Sequence, residues 1–176
     1  MSEPSASMHN PYAPKPVSLA VSRPARAADT PIPDRGSFMQ LLGWELRRGA
    51  RYRRTFTLLR VAADGVAPDG AFDDATAAAL REALRDVDVI ARLEAGEFAV
   101  LLPETSVALV SPVLQRIIDA LVQTATAGSW PVTFSVGAVT WKEADVTPEY
   151  LLTRSGELLA HARQDNSRVV EHEVLV

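Results

Sequence analysis

Charged residues cluster between residues 85 and 103, in the stretch RDVDVIARLEAGEFAVLLP. Arg85 and Asp88 lie three residues apart, and Glu94 and Glu97 follow in the middle of the stretch. Carboxylates can hold a divalent cation or accept hydrogen bonds, and a guanidinium group can bind a phosphate through two parallel hydrogen bonds. The stretch therefore has the residue types needed to bind an anionic ligand or a metal ion.

The composition limits which kinds of site the chain can contain. The chain has 176 residues, of which 47% are hydrophobic and 23% charged, enough for one domain with a core and an appendage. It contains no cysteine and only three histidines, which excludes disulfides, cysteine nucleophiles and thiolate metal sites and argues against zinc. The net charge of -4 argues against non-specific binding of nucleic acid. We therefore expect no nucleic-acid partner.

The first 35 residues differ in composition from the rest. Seven of the twelve prolines lie before Gly36, among serine, alanine and scattered arginine. Such a segment cannot bury enough apolar surface to offset its ordering entropy, so residues 1–35 are predicted to be a flexible segment. A short docking segment at residues 17–21 is the alternative. The segment lacks the features of a signal peptide, and no later segment reads as a membrane span, so a cytoplasmic protein without membrane insertion is expected.

Hydrophobic periodicity in residues 36–176 predicts nine elements in the order helix, strand, helix, strand, strand, helix, strand, helix, strand. The strands are TFTLLRVAA, DVIARL, EFAVLLP, WPVTFSVGAVTW and SRVVEHEV, and the second and third form a hairpin. A hairpin among helical crossovers predicts a mixed α/β fold, with helices packed on a central sheet of about five strands.

Polar residues suggest where the helices begin. Ser37 is the expected N-cap of the first helix and Asp73 or Asp74 that of the second. Pro112 interrupts the third helical pattern, so the helix either begins there or bends there. Thr147 and the proline after it fit the start of the fourth. Each assignment fixes one end of a helix that must position the charged residues.

From about residue 37 to 170 the chain resembles a GGDEF domain, the fold of diguanylate cyclases. The resemblance is carried by LLGWELRRGARYRRTFTLLRV, RDVDVIARLEAGEFAVLLPETS, PVTFSVGAVTW and LLTRSGELLAHARQDNSRVV, which follow one another in the family's order. It implies the nucleotidyl-cyclase-like fold. Active members of the family condense two GTP molecules into cyclic di-GMP with the help of divalent metal held by carboxylates.

The resemblance also shows departures from the catalytic pattern. The signature turn corresponds to Glu94, Ala95, Gly96, Glu97 and Phe98, of which only the last two keep the family's identity. The two metal-binding carboxylates of the family correspond to Ala62 and Gly96, and only Asp64 survives nearby. The segment after the first strand is shorter than in the family and lacks its guanine-binding Asn-Asp pair. We therefore predict that the chain is not a cyclase and uses no magnesium cofactor.

A second site of the family, where cyclic di-GMP binds and inhibits, matches better. Its Arg-x-x-Asp motif corresponds to Arg85 and Asp88, and a further arginine on the following helix corresponds to Arg116. Guanidinium groups suit the phosphates and the O6 and N7 atoms of guanine, and a carboxylate accepts from guanine N1 and N2. Without the resemblance, an arginine in a last helical turn followed by an aspartate would be ordinary helix-end chemistry.

The sequence thus predicts a catalytically inactive GGDEF-like receptor that binds cyclic di-GMP through Arg85, Asp88 and Arg116 and acts on a protein partner, with a homodimer possible. The alternative is a ligand-independent interaction or dimerisation module. If Arg85 or Arg116 turns inward to a structural carboxylate, the alternative gains.

Three further groups of residues receive simpler interpretations. The arginines of RRGARYRR, at positions 47, 48, 51, 53 and 54, are expected to be solvated or to face a partner. Arg163 corresponds to a phosphate-binding lysine of the family and is expected to be a surface charge. Trp44, Trp130 and Trp141 are expected to be core or edge aromatics.

Overall fold

The computed structural model describes residues 31–65, 69–164 and 170–176. Its elements are α1 (Arg35–Tyr52), β1 (Phe56–Gly65), α2 (Gly70–Ala83), β2 (Val89–Glu94), β3 (Glu97–Pro103), α3 (Val107–Ala127), β4 (Val132–Trp141), α4 (Pro148–Gln164) and β5 (Val170–Leu175). Their order is the order predicted from hydrophobic periodicity.

The strands form one sheet in the order β2-β3-β1-β4-β5. Strands β2, β3, β1 and β4 pair antiparallel with their neighbours, and β4 pairs parallel with β5 through the α4 crossover. The central position of β1 explains why its residues are almost continuously buried. The predicted mixed five-stranded sheet, flanked by helices and containing one hairpin, is confirmed.

Two hydrophobic cores lie on the two faces of the sheet. Because side chains alternate along a strand, Leu59 and Val61 of β1 face α2 and α3, whereas Phe56 and Leu58 face α1 and α4. Phe56 stacks on Trp141 of β4 in the second core, with ring centroids 5.3 Å apart. Arg60 and Asp64 share the parity of Leu58, which places them on the α4 side of the sheet.

Two helix starts differ from the sequence prediction. The N-cap of α1 is Asp34 rather than Ser37, because the Asp34 carboxylate accepts a hydrogen bond from the Ser37 amide over 2.8 Å. The N-cap of α2 is Asp69, which accepts from the Phe72 amide over 2.8 Å. In both helices the N-cap is an aspartate that comes earlier in the chain than the predicted residue. The Asp73 carboxylate is therefore available for a hydrogen bond to another element.

The observed starts of α3 and α4 decide between the starts considered for these helices in the sequence analysis. Helix α3 begins at Val107, after Ser106, and runs through Pro112 without ending there. Pro112 is the sixth residue of the helix, so its missing amide leaves the carbonyl of the exposed Ala108 without its helical partner near the N-terminus of α3. Helix α4 begins at Pro148 as predicted, and the Tyr150 amide donates to the Thr147 hydroxyl over 3.2 Å.

Helix α3 is also the one helix in the described ranges that is long and apolar enough to cross a bilayer, by length and composition alone. The sequence analysis expected no membrane span, because it found no segment with the roughly 20 apolar residues needed to cross a bilayer. Core helices of soluble domains meet the same requirement, and α3 packs Ile117 and Leu121 into the core beside α2.

Residues 31–34 lead into α1 and contact the folded domain, and the predicted boundary after residue 35 stays a prediction. The Pro33 carbonyl accepts a hydrogen bond from the Arg92 amide over 3.3 Å, on the outer edge of β2. Ile32 packs against the core shared with α2 and α3. The rest of the predicted segment, including the docking alternative at residues 17–21, lies outside the described residues.

Candidate functional site

The signature turn closes the β2–β3 hairpin with Ala95 and Gly96 between Glu94 and Glu97. Gly96 has a φ of 69°, a left-handed conformation that favours glycine. Its amide donates to the carboxylate of Asp73 over 2.8 Å, and its carbonyl accepts from the Ala63 amide over 2.9 Å. Both backbone groups of this glycine are therefore bonded within the protein and are not free for a phosphate.

Glu97, the acidic residue that keeps the family's identity, forms an ion pair with Arg60 of β1. The Arg60 and Glu97 side chains are only 19% and 13% exposed. The Arg60 guanidinium also donates to the Leu152 carbonyl of α4 over 3.4 Å. A Cβ at Gly156 would lie 2.5 Å from the guanidinium, so a side chain at this position would require Arg60 to shift.

Arg60 is the main site residue that the sequence analysis missed. A positive charge in the middle of the apolar strand TFTLLRVAA was the available signal, together with the glycine in the helix sequence RSGELLA. A charge on the buried face of a central strand requires a partner, and Glu97 lies on the adjacent strand with the same parity.

Asp64, at the end of β1, is bonded on both oxygens. One accepts from the Ser135 hydroxyl of β4 over 2.6 Å and the other from Arg163 Nε of α4 over 2.5 Å. Arg163 is 41% exposed, so it is a surface charge as expected, and it also forms this ion pair. The pair joins the end of β1 to the end of α4.

These contacts test whether the residues fit the metal centre that the fold implies. Ala62 is buried and offers only a methyl group where the family has a carboxylate. Asp64 and Glu97 are each paired with an arginine. Within the described ranges no group of three or more histidine, aspartate or glutamate side chains is placed to hold a metal ion. The residues present do not fit a two-metal centre.

On the other side of the hairpin, RDVD forms a turn rather than a helix end. Helix α2 ends at Ala83, and Leu84 is extended, so Arg85 does not lie in the last helical turn as expected. The Asp88 amide donates to the Arg85 carbonyl over 3.1 Å, and the Arg85 amide donates to Asp88 Oδ2 over 2.8 Å. Asp88 therefore closes the turn that leads into β2.

The second carboxylate oxygen of Asp88, Oδ1, is buried and has no hydrogen-bond partner in the described structure. Burial raises the pKa of Asp88, while the Arg85 amide and the positive charges of Arg85 and Arg116 oppose this rise. The three predicted residues are therefore close enough to interact electrostatically, and one acceptor of the carboxylate is unused.

Arg116 of α3 donates from Nε to the carbonyl of Ala83, at the end of α2. The last carbonyls of a helix have no partner within the helix, so this bond satisfies one of them and ties α3 to α2. The contact is to backbone and not to a structural carboxylate.

Arg85 lines a cavity of about 420 Å³ between α1, the turn and the hairpin, and neither Asp88 nor Arg116 lines that cavity. No side-chain hydrogen bond or ion pair of Arg85 is present in the described part of the chain. Arg85 therefore lies on a cavity that Asp88 and Arg116 do not line, and the binding of one ligand by all three residues stays a prediction.

Solved structures of GGDEF domains share the fold. The GGDEF domain of TpbB, also called YfiN, from Pseudomonas aeruginosa is 26% identical, with a TM-score of 0.65 over 81% of this chain and 90% of that chain. DgcB from Caulobacter crescentus, in complex with c-di-GMP, is 16% identical, with a TM-score of 0.64 over 80% of this chain and 91% of its GGDEF domain.

A third structure includes a protein partner. Diguanylate cyclase SiaD from Pseudomonas aeruginosa, in complex with its activator SiaC, is 22% identical, with a TM-score of 0.64 over 82% of this chain. This chain spans 59% of the SiaD chain. No curated protein matches the sequence significantly. The family model of the diguanylate cyclase GGDEF domain matches residues 72–168, more than half of the chain. The chain therefore belongs to the GGDEF domain family.

Proposed function

We propose that this GGDEF domain is a catalytically inactive receptor for cyclic di-GMP, with Arg85, Asp88 and Arg116 as its ligand-binding residues. In this proposal the domain acts in the cytoplasm, uses no metal cofactor and passes the binding signal to a protein partner. The function is one of recognition, since no chemical step is assigned to the domain.

The observation that carries the proposal is a contrast between the two sides of the hairpin. On the signature side, Asp64 and Glu97 are each held by an arginine. On the other side, the Arg85 guanidinium makes no hydrogen bond or close ion pair among the described residues and interacts with Asp88 only through its charge, and Asp88 Oδ1 accepts no hydrogen bond. Free recognition groups support binding there, and paired carboxylates argue against metal-dependent catalysis.

The chemistry of the free groups suits the proposed ligand. A guanidinium fork can bond the O6 and N7 edge of guanine or a phosphate, and Asp88 Oδ1 can accept from guanine N1 or N2. Because Oδ1 is buried, a guanine reaches it only after side chains around the turn move. Arg116 keeps further guanidinium donors for a phosphate while Nε remains bonded to Ala83.

Structures of similar domains supply the ligand and partner classes. DgcB was solved with c-di-GMP bound, and SiaD was solved with a protein activator. We extend both classes to this chain as part of the proposal.

Isothermal titration of cyclic di-GMP into the full chain tests the proposal. We expect micromolar or tighter binding that Arg85→Ala abolishes and Arg47→Ala preserves, because Arg47 is an exposed arginine of α1 outside the Arg85 cavity. GTP with magnesium is the second ligand, and neither binding nor formation of cyclic di-GMP is expected. Turnover of GTP, or cyclic di-GMP binding that survives Arg85→Ala, would overturn the proposal.

One observation favours a second candidate, a ligand-independent interaction or dimerisation module. Asp88 closes a turn and Arg116 satisfies a helix-end carbonyl, so both residues have structural roles that require no ligand. Sedimentation at several protein concentrations, with and without cyclic di-GMP, separates the candidates. A stable dimer that forms without ligand, combined with no heat of titration, would favour the second.

A further inference from the structure

The cavity that Arg85 lines is also lined by apolar and aromatic side chains. Val89 and Leu101 of the hairpin line it together with Trp44 of α1 and Val87 of the RDVD turn. Its volume of about 420 Å³ is in the range of small-molecule sites. Two separate elements, α1 and the turn, therefore place apolar side chains beside an unpaired guanidinium group.

Trp44 differs from the other two tryptophans in having no aromatic partner in the described structure. Trp141 stacks on Phe56, and Trp130 packs edge-on against Phe72 with centroids 5.3 Å apart. The Trp44 side chain is 59% exposed, which corrects the expectation of a core or edge aromatic. An exposed indole leaves apolar surface in contact with water and adds no packing to the core, so it is available for contact with a ligand.

The charges around the cavity favour an anionic ligand. Its two carboxylates are already paired: Glu45 lies 2.9 Å from Arg48, and Glu104 lies 2.5 Å from Arg54. Arg85 is then the charged residue of the cavity wall that makes no hydrogen bond or close ion pair within the described residues, although its charge acts on Asp88. An indole face beside a free guanidinium is the combination that stacks a nucleobase and bonds its edge or its phosphate.

We infer that Trp44 is the stacking platform for a guanine base of cyclic di-GMP, with the base lying between α1 and the RDVD turn and its edge or phosphate bonded to Arg85. This inference rests on the proposed function and extends that site to α1. Trp44 is a binding residue in it, and Val87 contributes apolar contact from the opposite element.

Titration of cyclic di-GMP into Trp44→Ala, Trp44→Phe and Tyr52→Ala tests this role. Tyr52 is the matched control, since it is 60% exposed on the same helix but lies outside the cavity lining. Loss of a base–aromatic contact should weaken binding about 10-fold or more in Trp44→Ala. Trp44→Phe, which keeps an aromatic face, should stay within a few-fold of the natural chain, and Tyr52→Ala should equal it.

Tryptophan fluorescence adds a readout that a merely structural role would not change. Stacking of guanine on Trp44 should quench emission in the natural chain and in Tyr52→Ala, and the quench should disappear in Trp44→Phe while binding persists. If Trp44→Ala binds like the natural chain while Arg85→Ala does not, the stacking role is wrong and the receptor function stands. If the natural chain does not bind cyclic di-GMP, the receptor function fails and the stacking role fails with it.

Discussion

Arg60 of β1 bonds to Glu97 of β3 beneath α4, so the surviving acidic residue of the signature turn is held by an internal cation. Breaking a mostly buried pair by removing one partner leaves the other charge without compensation. We expect Arg60→Leu to lower the free energy of unfolding by about 3 kcal/mol, measured by urea denaturation. The double variant Arg60→Leu/Glu97→Leu should recover most of the loss.

A charge-matched control separates this effect from a change of net charge. Arg47→Leu removes the same charge from the exposed surface of α1. It should change the free energy of unfolding by less than about 0.5 kcal/mol. If Arg60→Leu proved as mild as Arg47→Leu, the ion pair would not stabilise the hairpin against α4.

The ion pair between Arg163 and Asp64 should contribute less. The Arg163 side chain is 41% exposed, so solvent screens the pair. We expect Arg163→Met to cost at most about 1 kcal/mol, with a loss that shrinks at high salt. Urea denaturation at low and high ionic strength measures this, and a larger, salt-independent loss would contradict the assignment.

His172 of β5 should make stability depend on pH. Its Nε2 lies 2.8 Å from the Thr140 hydroxyl, and burial lowers the pKa of His172 below its ordinary value of 6.5. A lowered histidine pKa means that the folded state prefers the neutral ring. The stabilisation is therefore fully present above pH 6.5 and is lost as the pH falls toward the folded pKa. Thermal melts should show this slope, and His172→Asn should remove it.

Asp88 should make ligand affinity depend on pH in the acidic range. Burial raises the pKa of Asp88 above its ordinary value of 3.8, so the carboxylate becomes protonated earlier on acidification than an exposed aspartate. A protonated carboxyl loses acceptor capacity toward guanine, so affinity for cyclic di-GMP should fall as the pH drops through this raised pKa. Asp88→Asn should bind more weakly at neutral pH and show a flatter pH profile in titrations.

The raised pKa of Asp88 has the opposite effect on folding stability, which it favours at low pH. A raised carboxyl pKa gives stability that is present below the unfolded pKa and lost as the pH rises through the folded pKa. The difference in unfolding free energy between the natural chain and Asp88→Asn should therefore move in favour of the natural chain as the pH falls. A difference that does not change with pH would show that Asp88 is not buried as described.

The order and type of the elements could be predicted because hydrophobic periodicity reports which faces are buried. The helix starts at Asp34 and Asp69 were missed, since several neighbouring polar residues compete for a cap and the local sequence does not rank them. The turn at Arg85 was read as helix because α2 ends through an extended Leu84, which no glycine or proline marks. Periodicity locates elements better than it locates their ends.

The partners of the site residues could not be predicted from the sequence, for a different reason. Arg60 and Glu97 lie 37 positions apart, and Asp64 and Arg163 lie 99 apart, so only the sheet order brings them together. The resemblance supplied positions for Arg85, Asp88 and Arg116 but not the direction of their side chains. The cavity at Arg85, which Asp88 and Arg116 do not line, was therefore not foreseen, and the shared ligand site stays a prediction.

The placement of Arg60 under Gly156 also limits how this chain can evolve. An aspartate introduced at position 62 would add a carboxylate between Asp64 and Glu97, whose charges are already balanced by arginines. A metal ion would then have to compete with Arg60 and Arg163 for these carboxylates. Removing Arg60 alone would lower the folding stability. Introducing a metal site at this hairpin would therefore require several substitutions together. The Arg60–Glu97 ion pair therefore favours retention of the present hairpin.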